Sequence, residues 1–279
     1  MKIHGFDVSY ANPAVDFGKA KKAGMSFAII RTGYSDKKDV RFDKHMTAAK
    51  AAGMPVGVYC YCMARTVKEA QKEAEFVLTL IKPYQLTYPV FYDIEDERLS
   101  DISKRDMTDI VIAFCDTIEK AGYFPAIYIN PAWLEAHVYK DMLKKYDIWL
   151  AAWTNSRNKP TKYKYGQTMW QWGAEKKSFA TGLIDSDICY IDYPKKIKAL
   201  GLNNLTATLK VVAEYKTLTA VNIRAAASVK GARVATLMAG AAVQAMSKTK
   251  TADGYKWLNI KYNGASAWIA YGTADGKQI

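Results

Sequence analysis

Val90-Phe91-Tyr92-Asp93-Ile94-Glu95 is a short apolar run that ends in two carboxylates. It is continuous rather than alternating, as expected of a parallel strand covered on both faces. The same kind of run recurs upstream at Ile3–Val8, Phe27–Arg31 and Val56–Tyr61, and downstream at Ala126–Ile129, Ile148–Ala152, Thr168–Gln171 and Leu183–Ile184. Helix-compatible segments lie between them. Val67–Ile81 places Ala70, Ala74, Val77, Leu78 and Ile81 at helical spacing, Ile102–Ala121 stops at Gly122, and Lys44–Ala52 stops at Gly53 with Pro55 just beyond. Eight strands with intervening helices predict an α/β fold, a small irregular TIM-like (β/α) barrel over residues 1–198. An open doubly wound sheet is the alternative, but it would bring a glycine-rich phosphate turn after its first strand. Asp7-Val8-Ser9-Tyr10 holds none.

The pattern changes after Lys198. Residues 199–208, with Gly201, Asn203 and Asn204, read as a linker. Residues 209–279 then carry short strand-like segments: Lys210–Ala213, Val221–Arg224, Arg233–Met238, Val243–Met246, Trp257–Tyr262 and Ala267–Tyr271. Gly231, Gly240, Gly254 and Gly264 punctuate them, and the set predicts a small all-β barrel.

Composition bounds the function. With 50% hydrophobic and 24% charged residues, the 279-residue chain is an ordinary globular sequence, not a disordered or collagen-like one. No apolar run is long enough to span a bilayer, so no membrane insertion is expected. The net charge is +13, of which residues 201–279, with ten basic and three acidic residues, hold +7. A basic surface favours polyanions. Nucleic-acid binding would call for a basic stripe, a helix-turn-helix or zinc-ligand spacing; the lysines are scattered, so anionic cell-surface polymers are the better match. The N-terminus reads as a strand rather than a signal peptide, which predicts synthesis in the cytoplasm without a leader. Cys60, Cys62, Cys115 and Cys189 form no paired framework and read as reduced thiols. His4, His45 and His137 are spread out, and no metal or other cofactor is expected.

Four carboxylates stand at strand ends. Asp7 closes the first run, Asp93 and Glu95 close the fourth, and Asp185 follows Leu183-Ile184. In a parallel barrel all C-terminal strand ends open on one face, where the active site lies. A strand has period two, so Asp93 and Glu95 share a side. Two carboxylates so close raise each other's pKa, and one can stay protonated as an acid while the other is ionised. Glycoside hydrolysis uses that division of labour. The plainer reading is a solvated acidic turn continued by Asp96 and Glu97; Asp7 and Asp185 at equivalent ends weigh against it. Asp187 competes with Asp185, which is preferred because it directly follows the apolar pair. Tyr10, Tyr61, Tyr92, Tyr128, Trp153, Trp170 and Trp172 cluster at the same ends and offer flat faces suited to sugar rings. Tyr59 and Trp149 read as core.

At these residues the chain resembles glycoside hydrolase family 25, the Chalaropsis-type lysozymes of phage endolysins and bacterial autolysins. The resemblance covers about residues 1–195 and is carried by Gly5-Phe6-Asp7-Val8-Ser9, Phe27-Ala28-Ile29-Ile30-Arg31, Gly57-Val58-Tyr59-Cys60-Tyr61 and Tyr92-Asp93-Ile94-Glu95. It continues in order through Ile127-Tyr128-Ile129-Asn130, Trp149-Leu150-Ala151-Ala152-Trp153, Trp170-Gln171-Trp172 and Gly182-Leu183-Ile184-Asp185. Cys60 stands where relatives often carry histidine or tryptophan. What the resemblance implies is hydrolysis of the β-1,4 bond between N-acetylmuramic acid and N-acetylglucosamine in peptidoglycan, with retention. Glu95 would be the general acid. Asp93 would orient the 2-acetamido group or act as nucleophile, and Asp7 and Asp185 would flank the site. The substrate-assisted route, with the acetamido oxygen as internal nucleophile, is favoured. Tyr61, Tyr128, Trp153, Gln171 and Arg31 would contact substrate. The enzyme would act at the bacterial wall, reached through a holin lesion or after lysis.

The tail resembles bacterial Src-homology-3-like domains over about residues 209–275. The carrying residues are Val221-Asn222-Ile223-Arg224, Gly240, Trp257-Leu258 and Asn263-Gly264-Ala265-Ser266-Ala267-Trp268-Ile269, with Ala267 where relatives usually place glycine. This implies a wall-targeting module for peptide stems or cross-bridges, helped by its basic charge. Two other readings stay open: a wall-binding protein without catalysis, and a glycosidase of another aminosugar polymer such as chitin.

Overall fold

The structure is a computed structural model that describes residues 2–205, 211–262 and 265–273. The chain divides into two compact units, Met1–Ala207 and Thr208–Ile279. Residues 206–208 of the expected linker and the Asn263-Gly264 pair of the tail motif lie outside the described residues.

The first unit is built on one sheet: β1 (Ile3–Val8), β2 (Phe27–Tyr34), β3 (Lys37–Lys38), β4 (Val56–Tyr61), β5 (Val90–Ile94), β6 (Pro125–Ile129), β7 (Asp147–Ala151), β8 (Met169–Lys176) and β9 (Leu183–Cys189). β1 pairs with both β2 and β9, so the sheet closes on itself, and β3 is a short hairpin on β2. Around it lie α1 (Phe17–Lys22), α2 (Phe42–Ala51), α3 (Val67–Ile81), α4 (Lys104–Lys120), α5 (Pro131–Ala136) and α6 (Tyr193–Leu200). All but α2 start on a side-chain cap; Thr66 accepts from the Glu69 N–H before α3, Ser103 from the Asp106 N–H before α4, and Asn130 from the Trp133 N–H before α5.

The expectation of a small irregular TIM-like (β/α) barrel is corrected here: the closed sheet is mixed. β9 runs antiparallel to both of its neighbours, β8 and β1. The reason is chain length. A parallel return needs a crossover of a dozen or more residues, and β8 and β9 are joined by residues 177–182 alone. Among the described residues no α-helix separates β7 from β8 or β8 from β9. The last two strands are also longer than their apolar runs, because they form a hairpin that extends beyond the ring.

Strand parity sorts the side chains. Phe6, Val58, Cys60, Val90, Tyr92 and Ile94 point outward into the core beneath the helices. Phe27, Ile29, Phe91, Tyr128, Trp149 and Met169 fill the inside of the ring. Gly5 belongs to the inner set, and a Cβ there would stand 2.4 Å from the Phe27 ring. One end of the ring is plugged by Tyr193 of α6, whose ring centroid lies 5.6 Å from that of Tyr88 and 5.9 Å from that of Phe124. Asn203 adds a tie there: it accepts from the Phe124 N–H and donates to the Tyr88 carbonyl. The opposite end is left for polar residues.

The second unit is a six-stranded antiparallel sheet of β10 (Val211–Lys216), β11 (Val221–Arg224), β12 (Arg233–Leu237), β13 (Ala242–Ala252), β14 (Tyr255–Tyr262) and β15 (Ala265–Thr273). Its order is β10-β13-β14-β15-β11-β12, and among the described residues β10 and β12 do not pair. The sheet is therefore open, which overturns the expected Src-homology-3-like closed barrel. Ile223, Val243, Ala245, Ile260 and Ile269 form its core, while Val234 on the edge strand β12 is exposed beside Arg233.

Candidate active site

The polar end of the ring opens into a cavity of about 460 Å³. Period two brings the acids there. Phe91, Asp93 and Glu95 share a face, so Asp93 and Glu95 reach the cavity while Tyr92 points away and stacks on Phe114 at 3.9 Å. Asp7 arrives by the same parity from β1. Asp185 arrives differently from the expectation. It sits inside β9 opposite Asp7 rather than after a strand's C-terminal end, and reaches the same mouth because β9 runs backwards.

Of the substrate contacts expected from sequence, Tyr128, Trp153 and Gln171 line the cavity; Arg31 and Tyr61 do not. Gln171 links the site: its Nε2 donates to Asp7 Oδ2 at 2.8 Å, and its Oε1 accepts from Trp153 Nε1 at 2.8 Å and from the Tyr128 hydroxyl at 3.0 Å. Arg31 donates instead to Asp39 Oδ2 at 2.7 Å and lies 4.5 Å from the Tyr10 ring centroid. Its charge still reaches Asp93. Tyr61 is hydrogen-bonded to Asp96, which also accepts from Arg98 and is held down at about 2 chiefly by that bond. Asp96 is thus buried and paired, not part of a solvated acidic turn; Glu97 is exposed.

Four lining residues are not assigned to the site from sequence. Tyr59 and Trp149, read as core, both line the cavity, as do Ala151 and Asn130, the α5 cap. Parity would have found them: Tyr59 is two residues before Tyr61, Trp149 four before Trp153, and Asn130 two after Tyr128. Tyr92, Trp170 and Trp172, offered as sugar platforms, are buried away from it. Cys60 is also buried in the outer core. All four cysteines are buried and free.

The electrostatics are dominated by burial of like charges. Burial raises Asp93 well above its ordinary value, and neighbouring Glu95 adds to this against the pull of Arg31. Glu95, half-buried, is raised by burial and then by Asp185, with a hydrogen bond from Tyr128 working the other way. Asp7 is raised by burial, then by Asp187 and Asp185. Asp187, which competes with Asp185 in the sequence, is 1% exposed, and after burial its charge is the largest cause that raises Asp7. Its Oδ1 accepts from Trp149 Nε1 at 2.8 Å, while its Oδ2 and Asp93 Oδ1 have no hydrogen-bond partner among the described residues. The site is a cluster of acids whose pKa values burial and neighbouring carboxylates push upward.

Residues 6–180 match the model of "Glycosyl hydrolases family 25". The chain belongs to this family. A curated relative, named D-alanyl-L-alanine endopeptidase, from Streptococcus phage B30, is 31% identical over 151 residues, which is 53% of this chain and 33% of the relative. Among solved structures, the modular autolysin LytC from Streptococcus pneumoniae, in complex with a synthetic peptidoglycan ligand, superposes with a TM-score of 0.59 at 27% identity over 68% of this chain and 47% of that one. The bacterial lysozyme from Streptomyces coelicolor gives a TM-score of 0.61 at 21% identity over 74% of this chain and 99% of its own, a likeness of fold. The chain thus spans about a third of the phage relative and about half of the autolysin. Among the described residues no helix is long and apolar enough to cross a membrane, and no cluster of three or more side chains could hold a metal.

Proposed function

We propose that this chain is a muramidase that cleaves the β-1,4 bond between N-acetylmuramic acid and N-acetylglucosamine in peptidoglycan. The carrying observation is the Asp93–Glu95 pair, two carboxyls on one face at the mouth of the closed sheet, both held toward protonation by burial, with Glu95 adding to this for Asp93 and Asp185 for Glu95. Glu95 is the general acid: its raised pKa keeps a proton available for the departing glycosidic oxygen. Asp93 lies deeper, and its unpaired Oδ1 is an acceptor that a substrate amide N–H would satisfy. That favours the route in which the 2-acetamido group is oriented by Asp93, its oxygen attacks C1, and water later opens the cyclic intermediate with Glu95 as base, giving retention. Asp7 and Asp185 flank the reaction centre, and Gln171 holds Asp7, Tyr128 and Trp153 in register.

The phage relative's name is that of a peptidase, but two-thirds of that protein lies outside the match. The cavity lining here contains no serine, cysteine or histidine to act as a peptidase nucleophile or base. The deciding experiment is digestion of purified Gram-positive peptidoglycan, followed by borohydride reduction and mass spectrometry of the new ends. Reduced muramic acid is expected; reduced glucosamine would make the enzyme a glucosaminidase, and no new ends would leave a binding protein.

Trp153 is 53% exposed at the cavity rim, with its indole held by Gln171. Trp153→Ala is expected to raise KM about tenfold, a loss of about 1.4 kcal/mol of ring contact, with a much smaller change in kcat. Steady-state kinetics on soluble glycan strands would check it.

The second unit serves as the wall-holding part. Support comes from the surplus of basic residues and from a cavity of about 470 Å³ with Tyr215, Leu218 and Tyr271 on its exposed wall. If anionic wall polymers attract it, retention of the full chain on purified walls should fall steeply between about 0.1 M and 1 M salt, as the screening length shrinks from about 10 to about 3 Å. Salt-independent retention would leave the unit without this electrostatic role.

A further inference from the structure

A second cavity, of about 500 Å³, adjoins the catalytic one and shares Asn130, Ala151 and Trp153 with it. Its remaining wall is Pro131 and Ala132 at the start of α5, Ala152, and the 154–163 segment of the β7–β8 connection, with Lys159 and Lys162. The charges on the two sides of Trp153 are opposite. The charged residues lining the catalytic cavity are Asp7, Asp93, Glu95 and Asp185; those lining the neighbour are the two lysines.

The segment that carries them is anchored. Thr154 Oγ1 donates to the Ser156 and Lys159 carbonyls, and the Thr154 and Asn155 N–H groups donate to the Trp172 carbonyl. Gly173 permits this close approach: its φ is +155°, and a Cβ there would lie 2.9 Å from Asn155 Oδ1. Lys162 Nζ lies 5.2 Å from the Tyr163 ring centroid, and neither lysine forms an ion pair with a carboxylate among the described residues. Two unneutralised ammonium groups on an anchored wall, beside a cavity that repels anions, divide a substrate by charge. A neutral sugar ring fits the acidic side, and an anionic substituent on the adjoining unit fits the basic side.

We propose that this adjoining cavity is a subsite for the carboxylate-bearing arm of the muramoyl unit, and that Lys159 and Lys162 make the enzyme prefer acid-substituted glycan over neutral aminosugar polymers. The proposal rests on the muramidase reading and deepens it. The carboxylate has two sources, the lactyl group once its peptide is removed and the acidic residues of an attached stem.

The test uses the full chain and three soluble glycan preparations: stem-bearing strands, strands stripped by an amidase so that lactyl carboxylates are free, and stripped strands neutralised as methylamides. The readout is the KM for each charged preparation divided by the KM for the neutral one. In Lys159→Glu/Lys162→Glu this ratio should rise about tenfold or more, and Lys159→Arg/Lys162→Arg should restore it. A rise with stripped strands assigns the lactyl carboxylate; a rise confined to stem-bearing strands assigns the stem. An unchanged ratio for both overturns the subsite. Failure of the wild-type chain to release reducing muramic acid from any preparation is a different result, and it sinks the muramidase reading together with the subsite.

Discussion

Glu95→Gln is expected to lower kcat by about 10²–10⁴-fold, the usual contribution of a positioned general acid, while the protein folds and holds cell walls as before. Glutamine keeps the volume and an acceptor for the Tyr128 hydroxyl but has no proton to give to a leaving oxygen. The half-buried position of Glu95 means that no core contact is lost. The pH profile provides a sharper check. Burial and Asp185 raise the Glu95 pKa, so the wild-type alkaline limb should lie above the ordinary carboxyl range. The two raised carboxyls also have an order on binding. A substrate N–H donated to Asp93 Oδ1 favours the ionised form of Asp93, and that charge holds the proton on Glu95 more firmly. In Glu95→Gln the residual activity should lose the alkaline limb. Near-wild-type kcat in the variant, or an alkaline limb that stays in place, would move the acid role to another of the four carboxyls.

Much of the site was legible because it depends on alternation. Asp93 and Glu95 stand two apart on a strand, and no detail of packing can separate them by face. The same rule applied further puts Tyr59, Trp149, Ala151 and Asn130 in the cavity, although the size of the two aromatic side chains favours a reading as core filling. What could not be read was strand direction. Leu183-Ile184-Asp185-Ser186-Asp187 looks the same whether the strand is entered from above or below. Direction decides which acid lies at the rim and which deep within. Because β9 runs antiparallel, Asp185 is at the mouth and Asp187 beneath it against Asp7. The cue in the sequence was the short gap of residues 172–182 between the two runs, less than a parallel crossover needs. Closure of the second unit was hidden for a related reason. Periodicity marks where β10 and β12 are, and local turns fix hairpins, but nothing local states whether the two outer strands meet.

Asp187→Asn is expected to stabilise the protein at neutral pH by about 1–3 kcal/mol, the cost of a buried polar atom left without a partner. Asp187 Oδ2 is such an atom, and an amide nitrogen in its place would donate toward Asp7. The amide oxygen would still accept from Trp149 Nε1, so the tie to the ring interior survives. Wild-type Asp7 and Asp187 are both raised above the value of about 3.9 that an unfolded aspartate shows. Between that value and their folded ones the native state binds more protons than the unfolded state, so their contribution is fully present at acid pH and fades as pH rises through the folded pKa values. Asp96, held at about 2, has the opposite sign, but its window closes below pH 4 and does not overlap the neutral range. Thermal unfolding of the wild type should therefore show this loss between mildly acid and neutral pH, and the variant should show less of it. At about 2–4 °C per kcal/mol for a unit of this size, the neutral-pH midpoint should rise by several degrees. A variant with an unchanged pH slope would mean that repulsion between Asp7 and Asp187 does not set this loss, and a lowered midpoint at neutral pH would mean that the charged form of Asp187 is what the Trp149 indole holds in place.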